Sequence, residues 1–307
     1  MKTEQGVLRL SIAVTFLLAA FGVLYGLFIG SGSIIFDGIY SLLDASMTMV
    51  ALLVSKLITS SLAESTRAKL VQHFTMGFWH LEPMVLGLSG VLLIGTALTA
   101  LIGAVGSLLG NGHQVEFGRA MVFAVTQLLV ASAMAVYVRR ANRKIGSNFI
   151  ELDAKAWMVS AALTGALLLG FIFGWAITGT QYDWMSPYVD PAVLALVCLF
   201  VIPMPIGTVM QAFSDILLVT PADMKKQVDD VAEGIVARYG FLTYRAYVAR
   251  VGRGRQIELY FIVPQGLPPR RLEEWDRIRD QIGTELGEAG PDRWLTIAFT
   301  TDVDWAE

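Results

Sequence analysis

Six long apolar segments constrain this chain more than any other feature. They run over 8–29, 33–58, 83–108, 117–138, 157–178 and 187–213. Each approaches or exceeds the roughly 20 residues a helix needs to cross the hydrocarbon of a bilayer. Hydrocarbon offers no partner to backbone N–H and C=O groups, so such segments must be helices that satisfy their own backbone. Composition agrees: 55% of residues are hydrophobic and 16% are charged, against about a quarter charged in soluble domains. The first apolar stretch, 7–29, spans about 23 residues. It is long enough to remain as a span rather than be removed as a signal peptide.

Basic residues sort the connections into two sets. Lys2 and Arg9 open the first segment, Lys56, Arg67 and Lys69 follow the second, Arg139, Arg140, Arg143 and Lys144 follow the fourth, and Lys225 and Lys226 follow the sixth. The alternate connections, 30–32, 109–116 and 179–186, hold no lysine or arginine, and Arg119 is the one basic residue near that side. The positive-inside rule then puts both termini in the cytoplasm. The single cysteine, Cys198, excludes an internal disulfide or a thiolate metal cluster and reads as a small buried hydrophobe. A net charge of −3 gives no reason to expect nucleic acid as a partner.

From about residue 220 the pattern changes. A charged amphipathic helix runs to Tyr239 and stops at Gly240. Two alternating strands, 243–251 and 256–263, are joined through Gly252-Arg253-Gly254, a second helix covers 268–286, and a last strand covers 294–300. The expected fold is therefore an all-α membrane domain of six helices over 1–215, followed by a small α+β, ferredoxin-like αββαβ domain over 216–307 in the cytoplasm. The absence of histidine and cysteine after Thr220 leaves this second domain a dimerising role, packed through strand 257–263. Asp302 and Asp304 read as solvated acids, and Glu258 as an outward polar side chain.

Asp37 and Asp44 stand inside the second apolar segment. Seven residues apart, they differ by about 20° around a helix, and Tyr40, Ser41 and Thr48 share their face. An ionised carboxylate in hydrocarbon costs roughly 2.5–3.5 kcal/mol on insertion scales. Two on one stripe point to a cation path or a proton relay; the alternative is that they cap or pair with a neighbouring helix.

Three stretches together resemble the cation diffusion facilitator family. The run Ser31-Gly-Ser-Ile-Ile-Phe-Asp37-Gly-Ile-Tyr40-Ser-Leu-Leu-Asp44 is similar to the family's second-helix signature. Gly77-Phe-Trp-His-Leu-Glu82-Pro83 is similar to the start of its third helix, and Ser186-Pro-Tyr-Val-Asp190-Pro191 to the start of its sixth. The resemblance implies a homodimer in a bacterial inner (plasma) membrane that exports a divalent cation from the cytoplasm in exchange for protons. Its partners would be lipid, the cation and the proton. It implies no permanently bound cofactor, only a transported ion such as manganese, iron or zinc.

Carried over by position, the second-helix ligands would be Tyr40 and Asp44, while Asp37 attracts the ion and Asp153 stands at the fifth-helix entrance. The family's His-x-x-x-Asp pair on the fifth helix is here Ala156 and Ser160. Zinc favours nitrogen and sulfur donors in a four-coordinate site, and a neutral phenol is a poor substitute. Three accounts stay open. Asp37, Asp44 and Asp153 form an oxygen-rich cluster for a harder ion such as Mn²⁺ or Mg²⁺. Alternatively, a non-metal cation is carried, with cation–π support from Tyr40, Trp157 and Tyr188. In the third account the chain is a non-transporting partner or regulatory subunit of a heterodimer.

Ser41, Ser160, His80 and Asp215 are expected to support or gate the path. His80 stands where relatives carry a lysine or arginine, and a His80–Asp215 hydrogen bond is expected as a pH-sensitive version of their ion pair. His73 is a candidate for an accessory site in the 59–82 loop, although a lone histidine seldom makes one. Asp44 is the group suited to exchange a cation for a proton. Walker, nucleophile-elbow and His-Glu-x-x-His patterns are missing from the sequence, so no enzyme is expected. Pro203 and Pro205 are expected to kink the sixth helix or to shape its packing.

Overall fold

The computed structural model describes residues 4–62, 78–145, 148–287, 289–290 and 292–306. Among the described residues, six segments are long and apolar enough to cross a membrane: Gly6–Ile29, Gly32–Ile58, Leu81–Leu109, Phe117–Ile145, Asp153–Ile177 and Asp183–Ile216. The helices that carry them are α1 (Glu4–Ile29), α2 (Gly32–Leu62), α3 (Leu81–Leu109), α4 (Phe117–Ile145), α5 (Asn148–Ile177), α6 (Ser186–Val201) and α7 (Ile206–Ile216). The sixth segment is thus two helices. Its chain is interrupted at Ile202–Pro205, where Pro203 and Pro205 remove two backbone donors.

The chain divides into two compact units, Met1–Met49 with Leu88–Gly207, and Val50–Gly87 with Thr208–Glu307. In the first, one apolar cluster gathers Ile34, Phe36, Phe117, Phe123, Phe171 and Val201. A second gathers Val7, Val138, Ile150 and Trp157 from α1, α4 and α5. The α1–α2 pair crosses closely because both helices carry glycine where they meet. A Cβ on Gly38 would stand 2.7 Å from Val23 N, and one on Gly26 would stand 2.8 Å from Ile35 N. Small residues drive helix association in this way within lipid, where apolar burial alone favours no particular partner.

The start of α2 is fixed by an acid from α6. Asp190, 2% exposed, accepts from Ser31 Oγ at 2.7 Å and from Gly32 N at 2.9 Å. Its carbonyl accepts from Ser33 Oγ at 3.1 Å. These bonds satisfy donors at a helix N-terminus, where a carboxylate also opposes the positive end of the helix dipole. The Ser186–Pro191 motif is therefore structural in effect, because it seats the helix that carries the aspartates.

The second unit holds α8 (Ala222–Tyr239), β1 (Thr243–Val251), β2 (Gly254–Ile262), α9 (Leu272–Glu285) and β3 (Arg293–Thr300). This is the expected αββαβ order. The sheet order is β1-β2-β3, with β1 antiparallel to β2 and β2 parallel to β3. A parallel pair needs a crossover, which α9 supplies. Val228 and Ile235 of α8, Ile282 of α9 and Leu259 and Phe261 of β2 form the core. Gly240, at φ 68°, ends α8 in the left-handed conformation.

Candidate functional site

The stripe on α2 is divided among different environments. Asp37 is half-buried and its Oδ2 accepts from Gln127 Nε2 of α4 at 3.0 Å. Gln127 is 4% exposed, and its Oε1 is buried with no hydrogen-bond partner. Tyr40 packs against the main apolar cluster, its ring centroid 5.5 Å from that of Phe36. Ser41 is half-buried and Asp44 is exposed on the unit. At 1.5 Å per residue, Asp37 and Asp44 are separated by about 10 Å along the helix axis. The stripe therefore offers two carboxylate stations rather than one paired centre.

The fifth-helix residues face other neighbours. Asp153 Oδ1 accepts from Ser11 Oγ of α1 at 2.8 Å, and Trp157 Nε1 donates to the same hydroxyl oxygen at 2.7 Å. Asp153 Oδ2 is buried without a partner. Ala156 is exposed; Ser160 is half-buried, and its carbonyl accepts from Thr164 Oγ1 at 2.9 Å. Among the described residues, no three histidine, cysteine, aspartate or glutamate side chains group to hold a metal ion. This corrects the expectation of a cluster of Asp37, Asp44 and Asp153 within one protomer. The reason is local: α4 engages Asp37 through Gln127, and α1 engages Asp153 through Ser11.

In the second unit the expected His80–Asp215 bond is replaced. Asp215, 7% exposed, accepts from Gln211 Nε2 at 2.5 Å and from Arg250 Nε at 3.1 Å. A guanidinium from β1 thus takes the place of the third-helix side chain. A permanently charged, planar donor suits a nearly buried carboxylate better than an imidazole does. His80 is half-buried in the turn that precedes α3. The candidate His73 lies outside the described residues.

Gln127, Ser11 and Arg250 were not singled out by sequence reasoning. Gln127 carried a usable signal, a solitary amide inside an apolar membrane segment. Ser11 and Arg250 carried none, since a helical serine or a strand arginine is ordinary until its partner is known.

At the end of the first unit that bears the α1–α2 turn lies an open cavity of about 830 Å³. Its lining includes Tyr25, Gln114, Glu116, Arg119, Trp175 and Asp183. Arg119 Nη1 lies 2.7 Å from Glu116 Oε2. Tyr25 belongs to a ring stack with Phe21 and Phe123, with centroids 5.4–5.6 Å apart. Phe123 lies one helical turn before Gln127 on α4.

No curated protein matches the chain. The family model described as the cation efflux transmembrane domain matches residues 8–217, which takes in all six apolar segments and both aspartates of the α2 stripe. On that match the chain belongs to the cation efflux family of membrane transporters.

Proposed function

We propose that the chain is a secondary transporter that exports a divalent metal cation from the cytoplasm in exchange for protons. The observation that carries this reading is the placement of Asp37 and Asp44 on one stripe of a membrane helix in a cation efflux domain. Asp44 is the primary cation-binding and proton-exchanging group. It is the carboxylate of the stripe that sits exposed rather than engaged by another helix. Tyr40 and Ser41 flank it on α2, and Ser160 is the α5 residue we assign to the path, Asp153 being held by Ser11 of α1. Water and carboxylate donors without an imidazole partner favour a hard ion such as Mn²⁺ over zinc. The protein works as a homodimer in the plasma membrane with both termini in the cytoplasm, the charge asymmetry of its connections supporting that orientation.

A second reading rests on Ala156 and Ser160, which provide neither of the ligands expected on α5. It makes the chain a non-transporting subunit that pairs with an active relative. Proteoliposomes carrying a pH reporter separate the two when challenged with Mn²⁺, Fe²⁺, Co²⁺, Zn²⁺, Mg²⁺ and small organic cations. Proton movement driven by a divalent ion and abolished by Asp44→Ala supports the exporter. A response confined to organic cations moves the reading to a non-metal carrier. Silence from folded, dimeric protein supports the partner subunit.

A further inference from the structure

We infer that Asp37 and Gln127 form a second cation-binding position for a hard divalent ion that takes oxygen ligands. It lies about two helical turns from Asp44, toward the α1–α2 turn. This inference rests on the transport reading for its place in a pathway, but its own content is a binding site.

Gln127 carries the argument. A glutamine that is 4% exposed inside an apolar helix ordinarily satisfies both ends of its amide, since an unpaired buried polar atom costs about 1–3 kcal/mol. Here Nε2 is used by Asp37 and Oε1 is left over. Half a turn about the Cγ–Cδ bond exchanges the two atoms. The carbonyl oxygen then stands where Nε2 stood, 3.0 Å from Asp37 Oδ2. Two oxygens at that separation repel unless a positive ion bridges them. Adjacent ligands of an octahedral ion at 2.0–2.1 Å lie about 2.8–3.0 Å apart, and adjacent equatorial ligands of a pentagonal-bipyramidal calcium at 2.3–2.6 Å lie about 2.7–3.1 Å apart. The observed spacing therefore fits a hard divalent ion bridging the two oxygens, and a carboxylate with an amide carbonyl is the donor chemistry that Mg²⁺, Mn²⁺ and Ca²⁺ share.

The backbone beside Asp37 is tightly packed. Gly38, adjacent to Asp37, brings α2 against α1 so tightly that a Cβ would overlap the Val23 backbone. That contact holds the Asp37 backbone in place. With no ion present, the amide donates to the carboxylate and holds it between helices. With an ion present, the same amide turns and becomes a ligand.

The test is Mn²⁺ binding to full-length protein in nanodiscs, followed through the paramagnetic signal of free aqueous Mn²⁺. In the Asp44→Ala background one Mn²⁺ per protomer is expected to remain and to be lost with Asp37→Asn. Gln127→Leu should weaken it about tenfold or more, while Gln127→Glu, which removes the amide donor but keeps an oxygen there, should retain or tighten it. A simple interhelical hydrogen bond predicts the opposite for Gln127→Glu. Absence of Mn²⁺ from folded Asp44→Ala protein, or indifference to Gln127→Leu, overturns the site. If Mn²⁺ binds as described yet no cation moves in proteoliposomes, the transport reading fails and the site stands.

Discussion

Arg253 Nε lies 2.9 Å from Glu82 Oε2, and its Nη2 reaches Ser55 Oγ at 3.1 Å. The β1–β2 turn is thereby held to the start of α3 and to the last part of α2. Both members of the ion pair are about two-thirds buried, so the pair lies between an exposed one, worth about 0–1 kcal/mol, and a fully buried one. Glu82→Gln is expected to cost about 1 kcal/mol and to speed hydrogen exchange at the hairpin tip. Arg253→Lys should lose the Ser55 contact while keeping the charge, because a point charge cannot fork. Unchanged exchange at 252–254 in both variants would remove the turn's role as an anchor.

The Arg250–Asp215 pair separates two candidate partners for one carboxylate. Asp215 is nearly buried, so Arg250→Ala strands it and should cost about 2–3 kcal/mol. His80→Ala should stay within about 0.5 kcal/mol. Thermal unfolding of the two variants in the same detergent decides it; a larger loss for His80→Ala would restore the histidine as the partner.

Close helix approach makes Gly38 intolerant. Gly38→Val should lower stability by about 3 kcal/mol or more through overpacking against α1. Gly95→Ala, with open space where its Cβ would go, should be neutral or slightly stabilising. Melting temperatures measured side by side test the contrast, and equal behaviour of the two would refute the α1–α2 contact.

Asp190→Ala should leave Ser31 Oγ and Gly32 N without their acceptor and cost about 2–3 kcal/mol. Asp190→Asn keeps one acceptor oxygen and should recover part of that loss. The check is cleavage by a protease added from the side bearing the α1–α2 turn, which should rise in the order wild type, Asn, Ala.

Alkaline pH probes the α8–β1 contact. Tyr244 donates to Asp229 Oδ1 at 3.1 Å, and burial, together with the Asp229 and Glu233 carboxylates, pushes its phenol from 10.0 up to about 12. The folded state thus holds the proton more tightly than the unfolded chain. The resulting stability is complete below about pH 10 and lost as pH rises from about 10 to 12. The stability difference between wild type and Tyr244→Phe should narrow over that window; a constant difference would show that the phenol does not titrate as described.

Length and periodicity alone determined the six membrane segments and the αββαβ order of the C-terminal region, because both follow from local rules. A run of about 20 apolar residues has one stable form in lipid, and alternation of apolar side chains marks a strand wherever it occurs. The α2 stripe was legible for the same reason, since rotation per residue is a property of the helix itself. What the sequence left open was which side chain each acid would meet. Asp37 to Gln127 spans 90 positions, Asp153 to Ser11 spans 142, and Asp215 to Arg250 spans 35. No local pattern encodes those pairs, because they depend on helix crossings set by Gly26 and Gly38 and on the register of β1. The acids were therefore recognisable from their cost in hydrocarbon, while their partners were decided only when the helices and the sheet packed.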